Sequence, residues 1–405
     1  MPSEAPLRTD EPGRLAAAAV ALCGVCAFLE LYCTQPLLPL LAGIFHASKT
    51  AAGMTVSAGT LAVALSAPFV GARTERLPRK PVIVASLAGI ALPTLLAATS
   101  PSLGWMIFWR FLQGFFIPGV IAVVVTYIGE EWPAERVPFI MGLYVSGTAL
   151  GGFLGRISSG LVAQWLGWRW SFLVLGAAAV AGAAAVAWWL PPSRRRVAAP
   201  SQGRISPLRL KFFFGKPRLA ATYAVGFCVL FSLVGVFTWI TFHLAAPPFS
   251  LSTAALSWLF LVYLVGLVVT PLAGFLITRT SIRAGIGGAI GCSMTGVLLT
   301  LIPSLGWVLA GLALVSTGVF IAQTASQSHL RLASPPEARV TAAGLYLTCY
   351  YLGGTAAGVA PGAFWALGKW PACAVFIVAI QGTALAVAMN YWRAPAARAP
   401  ESGGD

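Results

Sequence analysis

The chain has 405 residues, of which 58% are hydrophobic and only 9% charged, whereas soluble globular proteins carry roughly 25% charged residues. Its solvent is lipid, and a soluble enzyme or regulator is excluded. The net charge of +15 would suit a nucleic-acid binder if the basic residues formed a face. They collect instead in short intervals between apolar runs, so they report topology, and no nucleic-acid partner is expected.

The first fourteen residues are polar, and the run that follows, 15–41, is too long for a signal-peptide core, so it is expected to be retained as the first helix. Near its middle stands Glu30. A carboxylate at bilayer depth costs about 2.5 to 3.5 kcal/mol even on a lenient insertion scale, so it normally faces a partner or a water-filled cavity. The other ten acidic residues fall in tails, in loops or at helix ends. Apolar runs continue at 50–72, 80–99, 103–128, 137–163, 168–190, 218–243, 251–277, 284–303, 306–328, 339–366 and 370–392, making twelve. About 20 apolar residues suffice for a helix to span the hydrocarbon core. Backbone groups in lipid must be satisfied within each segment, and the alternating pattern of a membrane barrel is missing, so a helical bundle is expected.

With twelve spans the Lys and Arg residues sort sharply: 21 lie on the side of the termini, only Lys49, Arg169 and Lys369 on the other, with Arg110 and Arg156 left inside. The positive-inside rule then puts both termini in the cytoplasm. The longest polar interval, 191–217, carries Arg194, Arg195, Arg196, Arg204, Arg209, Lys211 and Lys216 and reads as a basic linker that also anchors lipid headgroups. It divides the chain into a tail (1–14), a six-helix unit (15–190), the linker (191–217), a second six-helix unit (218–392) and a tail (393–405). An internal repeat supports the division. Gly142-Leu143-Tyr144 recurs as Gly344-Leu345-Tyr346, followed in register by Gly151-Gly152 against Gly353-Gly354 and Gly160 against Gly362. Parallel six-helix repeats around a midplane site are one of the standard transporter plans. The expected fold class is therefore an all-α membrane protein with twelve transmembrane helices in two pseudo-symmetric six-helix bundles.

The motifs carry a family resemblance. Gly71-Ala72-Arg73-Thr74-Glu75-Arg76-Leu77-Pro78-Arg79-Lys80 joins the second and third spans and resembles the signature loop of the major facilitator superfamily, Gly-x-x-x-Asp-Arg-x-Gly-Arg-Arg/Lys. Glu75 replaces the Asp and Pro78 the second Gly. The resemblance implies a cytoplasmic gate loop of Gly71, Glu75, Arg76, Arg79 and Lys80. In the fourth span Arg110-Phe111-Leu112-Gln113-Gly114 is similar to the family's Arg-x-x-x-Gly element, which in proton-driven members is linked to proton transfer. At roughly 10 Å from the outer end by helix rise, Arg110 can also snorkel outward. The fifth span carries Gly147, Gly151 and Gly155 at intervals of four, a helix face bare of side chains on which a neighbour can pack. The stretch is similar to the glycine-rich antiporter motif, except that Gly152 stands where the motif has Pro and Arg156 where it has the last Gly. With Tyr32, Gln35, Pro36 and Pro39 of the first span, these elements resemble the twelve-span drug:proton antiporter branch, and within it the YnfM-like, arabinose-efflux-type permeases.

The resemblance implies a secondary transporter of the cell inner membrane, acting as a monomer, that exports a small organic compound (a drug, sugar or metabolite) in exchange for protons by alternating access. No phosphate-binding Gly-x-x-x-x-Gly-Lys-Ser/Thr loop occurs, so an ion gradient is the simplest drive. The seven cysteines lie inside apolar runs with no zinc spacing, and neither metal nor cofactor is expected. Glu30 is the candidate proton carrier. Tyr32, Thr34, Gln35, Arg110, Gln113, Arg156, Gln323, Thr324 and Gln327 are candidate cavity groups. Uptake or facilitated diffusion of a sugar or organic anion, with Arg110 and Arg156 as anion contacts, is a second reading. A membrane enzyme or sensor is a third, disfavoured because His46, His243 and His329 sit near span ends and no second membrane carboxylate joins Glu30.

Overall fold

The computed structural model describes residues 12–74, 77–193, 213–266, 268–270, 272–273, 281–335 and 339–392, without the side chains at 71–74 and 340. Gly71, Glu75 and Arg76 of the signature-like loop, most of the linker and the tails therefore lie outside its side-chain description.

All regular structure among the described residues is helical. In the first half, α1 (Arg14–Leu31) breaks at a short 3-10 turn and resumes over Leu38–Ile44. It is followed by α2 (Lys49–Thr74), α3 (Arg79–Ala97), α4 (Leu103–Glu131), α5 (Val137–Leu166) and α6 (Trp168–Trp189). The second half holds α7 (Pro217–Leu244), α8 (Thr253–Thr270), α9 (Ile282–Leu299), α10 (Leu305–Ala333), α11 (Arg339–Val359) and α12 (Pro361–Tyr391). Eleven of these segments, all but α11, are long and apolar enough to cross a membrane taken alone. Pro361, with no N–H to donate, interrupts the hydrogen-bond ladder where α11 ends. The chain nevertheless stays helical until Gly368 (φ −160°, ψ 27°) and Lys369 (φ 52°, ψ −139°), where it folds back. Residues 361–367 thus prolong α11, and 370–391 form the last crossing.

The two halves repeat one packing scheme. In the first, α1 packs on α5 and α6, α2 on α4, and α3 on α4 and α6. In the second, α7 packs on α11 and α12, α8 on α10, and α9 on α10 and α12. The closest backbone approaches repeat too. A Cβ at Gly151 would strike the carbonyl of Val25, and one at Gly353 the carbonyl of Phe227; the same sequence offset carries 151 to 353 and 25 to 227. The fold is thus two pseudo-symmetric six-helix bundles. Large apolar side chains cover the exterior, among them Phe69, Phe139, Trp165 and Trp188, as a lipid-facing surface requires.

The bundles meet along α2 with α11 and along α5 with α8. Among the described residues, the hydrogen bonds and cation–ring contacts across this junction fall in the half of the molecule far from the termini. Ser57 Oγ donates to the Thr355 carbonyl at 2.7 Å, and the Thr60 and Thr355 hydroxyls lie 3.2 Å apart. Gln35 Nε2 donates to Thr238 Oγ1 at 3.1 Å, and Lys49 Nζ stands 5.5 Å from the Trp365 ring. The molecule is closed at the far end.

Candidate functional site

The interior polar groups are organised by the break in α1. Pro36 has no N–H, so the Tyr32 carbonyl cannot receive its usual i+4 donor. The Gln35 N–H turns to Tyr32 instead, at 3.1 Å. That leaves Leu31 O without its helical partner and Glu30 O with only a long 3.4 Å bond from Cys33 N–H. Buried carbonyls must find donors, and Arg110 of α4 supplies them. It is 1% exposed and donates through Nη1 to Glu30 O at 2.6 Å, through Nη2 to Leu31 O, and through Nε to Thr55 O of α2 at 3.2 Å. Arg110 therefore caps the C-terminal end of α1, where a cation also complements the helix dipole. It does not snorkel outward. Close packing of α2 on α4 makes this possible: a Cβ at Gly114 would strike the Gly59 carbonyl.

The Glu30 carboxyl lies beside this cap and is fully buried. Arg110 Nη1 also donates to Gln113 Oε1. Because arginine can only donate, this contact fixes the Gln113 amide with its NH2 toward Glu30, and Nε2 donates to Glu30 Oε2 at 2.6 Å. Thr94 Oγ1 of α3 donates to the same oxygen. Among the described residues Glu30 Oε1 has no hydrogen-bond partner. The ion pair found among the described residues joins Arg79 and Glu130 at 2.9 Å, near the end where α3 begins and α4 finishes; Arg110 reaches the carboxyl only through Gln113.

The second centre is Arg156 on α5, 2% exposed. Three glycines bring α5 onto α1: side chains at Gly147, Gly151 and Gly155 would strike the carbonyls of Ala21, Val25 and Leu29, which also recur every four residues. One residue beyond this face, Arg156 donates through Nε to Gln35 Oε1 at 2.8 Å and through Nη1 to Gly152 O at 2.5 Å. Its guanidinium carbon lies 4.7, 5.0 and 4.4 Å from the ring centroids of Tyr32, Phe260 and Tyr263. Tyr32 belongs to the first bundle, the other two to α8 of the second, so a caged cation sits on the junction.

The structure thus brings Glu30, Arg110 and Gln113 into one cluster, and Tyr32, Gln35 and Arg156 into a second. Thr34 is buried, and its hydroxyl has no partner among the described residues. Gln323, Thr324 and Gln327 stay apart from both clusters: Thr324 bonds Phe320 O on its own helix at 2.9 Å, and Gln327 is exposed. Thr94, Thr238, Phe260 and Tyr263 escaped the sequence reading. The signal for Thr94 was a hydroxyl beside Pro93 in an apolar span; the rings look like ordinary core residues until the bundles are assembled. Among the described residues no group of three or more His, Cys, Asp and Glu could hold a metal ion.

Twelve crossings in two related bundles, with buried polar groups at their junction, define the class: a helical membrane transporter. The sequence profile of the Major Facilitator Superfamily matches residues 20–358, and the chain belongs to that family. It is 30% identical over 357 residues, 88% of this chain and 86% of its relative, to an "Uncharacterized transporter" of Buchnera aphidicola subsp. Schizaphis graminum. It is 32% identical over 370 residues, 91% of this chain and 88% of its relative, to the "Inner membrane transport protein YnfM" of Escherichia coli. Its fold is similar to that of the human organic anion transporter MFSD10, with a TM-score of 0.71 at 19% identity, covering 93% of this chain and all of that one.

Proposed function

We propose that the protein is a proton-coupled exporter of a small organic compound, working as a monomer in the cell inner membrane with both termini in the cytoplasm. On that orientation the closed far end is the outward one, and the conformation faces inward. The observation that carries the reading is Glu30: a fully buried carboxyl that has, among the described residues, no cation in ion-pair reach, two donors on Oε2 and none on Oε1. Ionised, it would be a buried charge at membrane depth with hydrogen-bond donors but no counter-ion at contact distance, which is costly. Protonated, it is neutral. Oε1 is the oxygen free to take and release the proton, while Arg110 holds Gln113 in place and so positions the acceptor. Cycling between the two forms couples proton movement to separation of the bundles at the far end. The Gly71 to Lys80 loop, with Arg79 anchored on Glu130, serves as the cytoplasmic gate.

Reconstituted proteoliposomes with and without a pH gradient test this. Glu30→Gln keeps a side chain of the same size and is expected to abolish gradient-driven accumulation while leaving counterflow intact. Proton-driven accumulation by Glu30→Gln at the wild-type rate overturns the reading.

A further inference from the structure

Arg110 and Arg156 are both cations buried in an apolar bundle, yet their surroundings differ. Arg110 engages every nitrogen: Nε, Nη1 and Nη2 each donate to a main-chain carbonyl. Arg156 engages two. Its Nε goes to Gln35 and its Nη1 to Gly152, and among the described residues Nη2 makes no hydrogen bond. The Tyr263 ring, centred 4.4 Å from the guanidinium carbon, ends in a buried hydroxyl that also lacks a partner. Two donor groups in one cage are unused. Among the described residues no carboxylate lies within ion-pair reach of Arg156; three ring faces, each worth about 2 kcal/mol when desolvated, and two hydrogen bonds offset much of the cost of burying the cation, but none of them carries a negative charge. What the cage lacks is an acceptor bearing negative charge.

Place in the fold adds a second constraint. Arg156, Gln35 and Tyr32 belong to one bundle and Phe260, Tyr263 and Thr238 to the other, so parting of the bundles uncovers the guanidinium and breaks the Gln35 to Thr238 bond. An anion already held between the bundles when they close again then meets Nη2–H and the Tyr263 O–H together, with aromatic walls beside it.

We propose that Arg156 and the Tyr263 hydroxyl form the anion-binding point for the transported compound, which is a flat organic monoanion, an aromatic carboxylate or sulfonate. The proposal rests on the transport reading above and adds the substrate class to it. A planar carboxylate matches the fork of a guanidinium, and the flat body stacks on Tyr32 and Phe260. Neutral and cationic compounds of the same shape leave Arg156 without its counter-charge and bind more weakly.

The test uses the full-length protein in lipid nanodiscs with four probes that share a phenyl ring and differ in charge: benzoate, benzenesulfonate, benzamide and benzylammonium. Titration calorimetry is expected to show both anions binding at least about tenfold more tightly than the other two, since a charged hydrogen bond is worth roughly a tenfold to hundredfold change in affinity. Tyr263→Phe keeps the ring and is expected to weaken the anions about fivefold, the loss of one ordinary hydrogen bond, with benzamide unchanged. Arg156→Gln is expected to erase the preference for anions. Equal binding of benzamide and benzoate, no binding of either anion at the highest soluble concentration, or anion binding untouched by Tyr263→Phe overturns the proposal. The two readings fail separately. Anion binding without pH-driven flux removes proton-coupled export and leaves the site, whereas pH-driven flux of benzamide or benzylammonium but not of the anions removes the site and leaves export.

Discussion

Arg110 lies in a motif associated with proton transfer, but its geometry is that of a structural cap, and the two roles predict different things for Arg110→Met. The substitution keeps a long apolar side chain and removes all donors. Thr55 O lies within α2 and retains a helical partner. Leu31 O loses its donor outright, Glu30 O is left with the 3.4 Å bond from Cys33, and Gln113 Oε1 loses the contact that orients it. An orphaned buried acceptor costs about 1 to 3 kcal/mol, so three of them, one partly compensated, predict a loss of about 3 to 6 kcal/mol. That is a large share of the roughly 5 to 15 kcal/mol that holds a typical domain together. The assay is reversible unfolding in mixed micelles of increasing dodecyl sulfate fraction, run as a double-mutant cycle with Pro36→Ala. An alanine at 36 regains an N–H for Tyr32 O, which releases the Gln35 N–H to Leu31 O. One carbonyl then no longer needs Arg110, and the cost of Arg110→Met should shrink by about 1 to 3 kcal/mol. Arg110→Met within about 1 kcal/mol of wild type, or a cycle with no coupling beyond about 0.5 kcal/mol, would refute the capping role and return Arg110 to transport chemistry alone.

Further expectations follow from the packing. Gly151→Val drives side-chain atoms into the Val25 main chain and should destabilise by about 1 to 3 kcal/mol or more, whereas Gly142→Ala, where a Cβ meets nothing within 4 Å, should be neutral or stabilise by up to about 1 kcal/mol; thermal unfolding in detergent separates them. Thr60→Cys with Thr355→Cys, at positions whose hydroxyls lie 3.2 Å apart across the junction, should cross-link under copper phenanthroline in a background lacking Cys292 and Cys349. The link should stop transport until reduced, and unimpaired transport by the cross-linked protein would contradict alternating access through this junction. Glu130→Gln weakens the two-bond pairing with Arg79 and should cost roughly 1 kcal/mol, a loss that shrinks as salt screens the pair; a loss that does not depend on ionic strength would mean the contact is not electrostatic.

The sequence by itself determined what is periodic or compositional. Run length and apolarity gave twelve crossings, with one adjustment: the segment before the final turn is interrupted at Pro361, although its end at 366 and the restart at 370 match the fold-back at Gly368 and Lys369. The recurrence of Gly-Leu-Tyr and Gly-Gly announced two related halves, and an acid alone in an apolar run marked Glu30, because both signals are written along a single strand of text. Spacing of four marked Gly147, Gly151 and Gly155, but not that Ala21, Val25 and Leu29 would meet them. Only the tertiary structure decided which partners the buried charges find. Arg110 could be read as a snorkelling residue or a proton-relay residue, and it became the cap of α1 because Pro36 strands two carbonyls that α4 happens to reach. Arg156 is caged by rings from α8, about a hundred residues away in sequence. Hydrophobicity is a property of each residue, whereas compensation of a buried charge depends on which helices are neighbours, and that is settled only when the two bundles close on each other.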